Sequence, residues 1–244
     1  MREYFLSDSH DLCATGNGFP PAASPPSAEE LTRLRQEMVE RQLRKRGLTD
    51  QRVLAAMLAV PRHEFLPPEL AAGAYTDRPL PIGHGQTISQ PFMVAAMAEA
   101  LRLAGNERVL EIGGGSGYQA AVLSLLAREI HTIEMHQDLA EATAERLKRL
   151  GYANVYVHTG DGSLGLPEQA PFDAILVTAS APDVPPPLVQ QLAERGRLVI
   201  PVGNSDEQRL FHIEKHGTDL TKRAMYHCRF VPLVGRYGWK PPDS

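Results

Sequence analysis

Apolar positions along the chain change period in a way that separates three regions. Leu31, Leu34 and Met38 fall on one helical face behind Ser27-Ala28-Glu29-Glu30, a capping-box pattern, and Gly47 is placed to end that helix. A second helix is expected from Thr49 or Asp50 to Val60, stopped by Pro61. Pro61, Pro67, Pro68, Pro79 and Pro81 then predict an irregular segment reaching Gln90, long enough to be functional. Pro91 suits a first helical position and opens a helix to Leu103, whose buried stripe is Val94, Met97, Ala98 and Leu101 and whose end is Gly105.

From Arg108 onward, short apolar runs alternate with helical periods. Strands are expected over 108–112, 130–134, 154–158, 172–178 and 197–202, and helices over 118–127, 137–150 and 187–193. Such alternation predicts an α/β fold, a doubly wound and mostly parallel sheet with helices on both faces. Two last runs, 209–213 and 225–232, flank the turn-like His216-Gly217-Thr218-Asp219 and read as an antiparallel edge hairpin. Before all of this, residues 1–27 carry Gly16, Gly18, Pro20, Pro21, Pro25 and Pro26 and no periodic apolar face, so they read as a flexible extension. Residues 28–244 read as one domain: N-terminal helices and a loop over 28–105, an α/β core over 106–203, and edge strands over 204–244.

Composition narrows the class. At 43% apolar and 22% charged residues the 244-residue chain is neither disordered throughout nor fibrous. Its net charge of −4 argues against a broad phosphate-binding surface, so no nucleic-acid partner is expected. The Arg44-Lys45-Arg46 cluster is read as a complement to a helix C-terminus. Cys13 and Cys228 form neither a disulfide framework nor a metal-ligand spacing. No secretory leader and no run of about 18 apolar residues is seen, and a cytoplasmic, non-membrane protein without a metal is expected.

The chemistry concentrates in Glu111-Ile112-Gly113-Gly114-Gly115-Ser116-Gly117, between a predicted strand and a predicted helix. There, backbone N–H groups and a helix N-terminus meet a ligand that a Cβ would hold away. Gly115 to Ala120 also satisfies G-x-G-x-x-A, and Glu134, about 20 residues on, suits ribose hydroxyls, so both a nicotinamide dinucleotide and an adenosyl cofactor fit. Glu111 separates them: a carboxylate there would repel pyrophosphate and favour the cationic end of S-adenosylmethionine. Asp161 in His158-Thr159-Gly160-Asp161-Gly162 follows the third strand, where an adenine amino group could lie.

These residues resemble the protein-L-isoaspartate O-methyltransferases over roughly Leu34 to Gly235. The resemblance is carried by Leu80 to Pro91, Val109 to Ala120, Gly151 to Val155, Gly160 to Gly162, Ala170 to Ala174, Ala181 to Pro185 and Gly196 to Gly203. The Gln86-Thr87-Ile88-Ser89-Gln90-Pro91 segment marks this family in particular. One departure is Gly114, where the family often has Thr, Ser or Cys. The resemblance implies a Rossmann-like class I fold and methyl transfer from S-adenosylmethionine to the α-carboxyl of isoaspartyl residues in damaged proteins, leaving S-adenosylhomocysteine. It implies Ser89 as the essential hydroxyl and Glu134, Asp161 and Gly113 to Gly117 as cofactor contacts. Gln86, Thr87, Glu111, Met135 and Gly162 join the cofactor set, and Thr87, Ile88 and Ser89 the substrate set. A monomer acting on isoaspartyl proteins and peptides is expected.

Three alternatives stand beside this: a methyltransferase of the same fold acting on RNA or a small metabolite, a noncatalytic adenosyl-binding module, and a nicotinamide oxidoreductase. Ser89 itself has a second reading, as a cap for the helix at Pro91. His84 is read as structural, and Tyr237 and Trp239 as covers for core edges.

Overall fold

A computed structural model of the chain describes residues 26–204 and 206–240. Most of the extension expected over 1–27 therefore lies outside the described residues. Ser27 accepts the Glu30 N–H at 3.2 Å and starts α1 (Ala28–Glu37). The helix does not run on regularly to Gly47, as its periodicity predicted. Met38–Leu43 widen into a π-helical stretch that buries Met38, Val39 and Leu43 together, and Arg44–Arg46 tighten into a 3-10 turn ended by Gly47 at φ 92°. Asp50 caps α2 (Gln51–Ala59) through the Arg52 and Val53 N–H groups.

The proline-rich stretch is more ordered than its composition predicts. Two 3-10 turns, Arg62–Phe65 and Pro68–Gly73, lead into an antiparallel hairpin of β1 (Leu80–Gly83) and β2 (Gln86–Ile88). Local signals could not reveal it, because strands of four and three residues carry too few positions to show alternation. The hairpin delivers the chain to α3 (Pro91–Ala100), in which every residue except Glu99 is buried. A stripe was expected; the helix is enclosed all round because the N-terminal helices cover the face that the sheet leaves open.

The seven-stranded sheet comprises β3 (Arg108–Ile112), β4 (Glu129–Glu134), β5 (Val155–Thr159), β6 (Phe172–Val177), β7 (Leu192–Gly203), β8 (Gln208–His216) and β9 (Asp219–Cys228), ordered β5-β4-β3-β6-β7-β8-β9. The first five are mutually parallel, and β8 and β9 run antiparallel at one edge. The intervening helices are α4 (Tyr118–Ser124), α5 (Gln137–Arg149) and α6 (Pro186–Gln190). Helix α6 is shorter than expected because β7 begins already at Leu192. The edge hairpin is shifted too: β9 ends at Cys228, and beyond it Pro232 and Trp239 make only isolated bridges.

Strand alternation divides the core. Val109, Ile130, Ala174 and Leu176 pack toward α2, α3 and α4, while Leu110, Ile112, Ile133, Ile175 and Val177 pack with Leu188 of α6. Each fully buried Leu, Ile or Val contributes about 1.5–3 kcal/mol, so the parallel strands anchor whatever their carboxyl ends carry. Because the chain runs from β3 outward to β5 and returns to β6 on the other side of β3, the loop after β3 lies at the switch point where open α/β sheets take ligands. Among the described residues no helix is long and apolar enough to cross a membrane.

Candidate functional site

The glycine loop joins β3 to α4 and is tied down by its own backbone. Gly113 and Gly114 both donate to Ile133 O, at 2.8 and 3.0 Å, which fixes the loop to the end of β4. Thr178 Oγ1 reaches Gly113 O at 2.7 Å, Thr143 Oγ1 reaches Gly115 O at 2.6 Å, and the Arg146 guanidinium reaches Ser116 O at 3.0 Å. Gly113 has φ 92°, and a Cβ there would lie 2.5 Å from Thr178 Oγ1, so only glycine fits. Gly113 and Gly115 are partly exposed, whereas Gly114, Ser116 and Gly117 are buried. Ser116 Oγ accepts the Tyr118 N–H at 3.3 Å, so this hydroxyl serves the start of α4.

The unusual glycine at 114 has a local reason. A Cβ at Gly114 would meet Thr132 Oγ1 at 2.7 Å, so the Thr132 side chain from β4 occupies the space a larger residue would use. Thr132 is fully buried and its hydroxyl bonds to no partner. Beside it, across the β3–β4 pairing, stands Glu111, also fully buried, with both carboxyl oxygens unpartnered. Burial pushes the Glu111 carboxyl up to about 8, and the Glu134 charge adds to the rise. Glu111 thus binds no loop amide, the bland alternative for it.

Glu134, at the carboxyl end of β4, is held by two amides. Oε2 accepts the Gly115 N–H at 2.8 Å and Oε1 the His136 N–H at 3.1 Å, and each oxygen keeps a lone pair for a ligand hydroxyl. Met135 beside it is 39% exposed, available as an apolar surface. Asp161, after β5, is more occupied. Oδ1 takes the Ser163 N–H and hydroxyl at 2.9 and 2.7 Å, and Oδ2 takes the Arg236 N–H at 2.8 Å. This carboxylate caps a 3-10 turn (Gly162–Leu164) and clamps the C-terminal segment, and Gly162 beside it is buried against Ile112.

The β1–β2 hairpin reaches across to this loop. A Cβ on Gly115 would touch Ile82 Cδ1 at 3.3 Å, and the His84 ring stacks on His136 with centroids 5.0 Å apart. Gln86 is half-buried and folds its amide onto His84 O at 3.3 Å, Thr87 is exposed, and Ile88 is buried.

Ser89 is half-buried, and its hydroxyl makes no hydrogen bond within the described residues. The reading of Ser89 as a helix cap is incorrect: the N-cap of α3 is Gln90, without a side-chain cap bond, and the free Phe92 N–H is taken by Asp77 Oδ1 at 3.2 Å. Asp77 in turn pairs with Arg46, whose guanidinium lies 3.6 Å over the Phe92 ring. Arg46 therefore does more than complement a helix dipole; it braces the entry to α3. Neither Asp77 nor His136 was singled out from the sequence, because both act through partners distant along the chain.

Outside the site, the half-buried Trp239 donates its indole N–H to Ser180 O at 3.0 Å, Tyr237 is 39% exposed, and burial pushes the Cys228 thiol up to about 11. Among the described residues there is no group of three His, Cys, Asp or Glu side chains arranged to hold a metal.

Parallel sheet, switch-point glycine loop and an acid at the end of the next strand together define a doubly wound protein of the class I methyltransferase type. Comparison with known proteins narrows this. The profile of the protein-L-isoaspartate(D-aspartate) O-methyltransferase family matches residues 33–238. A protein-L-isoaspartate O-methyltransferase of Roseiflexus castenholzii is 54% identical over 210 residues, covering 86% of this chain and 96% of the relative. One from Geobacter metallireducens is 55% identical over 206 residues, covering 84% and 95%. Among solved structures, a protein-L-isoaspartate O-methyltransferase superposes with a TM-score of 0.76 at 33% identity, covering 84% of this chain and 67% of that one. A Plasmodium falciparum protein described as a beta-aspartate methyltransferase, in complex with S-adenosyl-L-homocysteine, gives 0.69 at 29% identity, covering 82% and 98%. The chain belongs to the protein-L-isoaspartate O-methyltransferase family.

Proposed function

We propose that this chain transfers a methyl group from S-adenosylmethionine to the α-carboxyl of L-isoaspartyl residues in damaged proteins and peptides, the first step of their repair. The observation that carries the reading is the placement of Ser89: an unbonded hydroxyl on the segment leading from a hairpin that lies against the glycine loop.

The residues fit the cofactor by their own chemistry. Gly113 and Gly115 are partly exposed and leave their backbone open to a ligand, and Glu134 offers lone pairs to ribose hydroxyls. Met135 and Gly162 border the adenosyl end, with the one remaining lone pair of Asp161, on Oδ2, available to adenine. Ser116 and Gly117 hold the loop in shape, and Gln86 and Thr87 close it from the hairpin. The orphaned carboxyl of Glu111, protonated at neutral pH in the unliganded chain, can give up that proton and pair with a cationic ligand end nearby, which favours S-adenosylmethionine over the nicotinamide alternative. S-adenosylmethionine, when bound, supplies an electrophilic methyl on a sulfonium that leaves as a neutral thioether.

The substrate carboxyl is already an anion at neutral pH, so no side chain has to remove a proton. Ser89 donates its O–H to one carboxylate oxygen and leaves the other oriented for in-line attack. Thr87 and the Ile88 backbone flank the same group. The hairpin keeps water away from the nucleophile, and alignment of this kind supplies several kcal/mol of barrier reduction. The resulting ester collapses on its own through a succinimide. An isoaspartyl peptide incubated with the protein and S-adenosylmethionine is expected to accumulate succinimide and then aspartyl peptide by chromatography; a peptide that stays isoaspartyl overturns the assignment.

A further inference from the structure

The tip of the β1–β2 hairpin carries a side chain where glycine would be easier. His84 has φ 51°, the left-handed region, and stands between Gly83 and Gly85. A histidine adopts that conformation more readily than most residues but at a cost that glycine avoids. The space around the tip is open, since a Cβ on either flanking glycine would meet nothing within 4 Å. The base of the hairpin is anchored by Leu80 and Ile88, both 4% exposed, so the tip depends on contacts of its own.

The contact it has is aromatic. The His84 and His136 rings stack with centroids 5.0 Å apart and planes 26° from parallel, within the range of a favourable offset stack. His136 is the N-cap of α5, yet its side chain makes no cap bond, so the ring does nothing for the helix it begins. Its backbone N–H holds Glu134 Oε1, while Gly115 holds Oε2, and Ile82 of the hairpin faces Gly115. One end of the stack is therefore the hairpin that leads to Ser89, and the other is the residue whose amide aims the ribose acid.

We infer that His84 and His136 are positioning residues that form a latch, closing the hairpin over an adenosyl ligand seated on Gly113, Gly115 and Glu134 and slowing its release. This rests on the cofactor reading given above. A ligand held under the hairpin leaves only after the two rings part, so the stack acts on the dissociation rate of S-adenosylhomocysteine.

The test uses the full chain and S-adenosylhomocysteine, with release followed by stopped flow and affinity by calorimetry. H84N keeps a residue tolerant of the left-handed conformation and removes the ring; H136A removes the opposite ring; H136F keeps an aromatic surface. H84N and H136A are expected to release the ligand about three- to tenfold faster, the size an aromatic pair carries. Their peptide KM at saturating S-adenosylmethionine should stay at the wild-type value, and H136F should restore slow release. Unchanged release in H84N and H136A, or H136F releasing as fast as H136A, overturns the latch while leaving the cofactor reading intact. Wild-type protein that binds no S-adenosylhomocysteine overturns the cofactor reading and the latch with it.

Discussion

Single residues in this site are distinguished by what they leave unbonded. Ser89 holds no backbone group, so Ser89→Ala should leave thermal stability nearly unchanged, in contrast to the loss of about 1 kcal/mol that removing a helix cap causes. Single-turnover methyl transfer should fall while S-adenosylhomocysteine still binds, because the lost contact acts on alignment near the transition state. A mutant with normal single-turnover rate and a lowered midpoint would return Ser89 to a structural role. Glu111 makes a pH prediction. Its carboxyl titrates at 4.5 when unfolded and about 8 when folded, so between those values the folded chain keeps a proton that the unfolded chain has released. Stability must then fall as pH rises from 4.5 to 8, by on the order of a few kcal/mol from this group, and Glu111→Gln should remove that slope. Urea melts of both proteins at pH 5 and pH 8 check this, and identical slopes would contradict it. At this scale the sequence revealed the acids at Glu111 and Glu134 through their places beside a glycine run. It could not reveal that Glu111 is sealed from solvent or that Asp161 already bonds Ser163 and Arg236, since both depend on chain segments far away.

Among the elements, the β1–β2 hairpin and the start of α3 were the least legible and matter most. Prolines and glycines over 61–90 read as punctuation, and a hairpin with a four- and a three-residue strand shows no period to offset them. Its position becomes intelligible from Asp77, which caps Phe92 and pairs with Arg46. Asp77→Ala should therefore cost about 1–2 kcal/mol in chemical denaturation, as loss of an N-cap does, even though Asp77 is outside the helix by sequence. A cost no larger than that of Ser89→Ala would show that Asp77 does not hold this helix. The glycine loop was fully legible by contrast, because four glycines in five positions between a strand and a helix are a local signal. Gly114 adds a coupled pair: Gly114→Ala should destabilise by about 1–3 kcal/mol through crowding of Thr132, and Thr132→Ala in the same chain should relieve part of that loss.

For the molecule as a whole, alternation of strand and helix periods was enough to anticipate a doubly wound sheet, and the sheet order then brings three separate loops to one edge. The glycine loop after β3, Glu134 at the end of β4 and Asp161 after β5 share this edge, and the hairpin before the sheet brings Ile82 and His84 to the same place. Strand order was not legible, because pairing between β3 and β6 joins residues far apart in sequence. The arrangement makes one joint demand: a cofactor on the sheet edge and a carboxylate beside Ser89 must meet. The most direct measurement is methyl transfer from labelled S-adenosylmethionine to paired peptides that differ only in an aspartyl or isoaspartyl linkage. Base-labile label entering the isoaspartyl peptide alone is the predicted result. Label in both peptides alike, or in neither while S-adenosylhomocysteine binds, would contradict it.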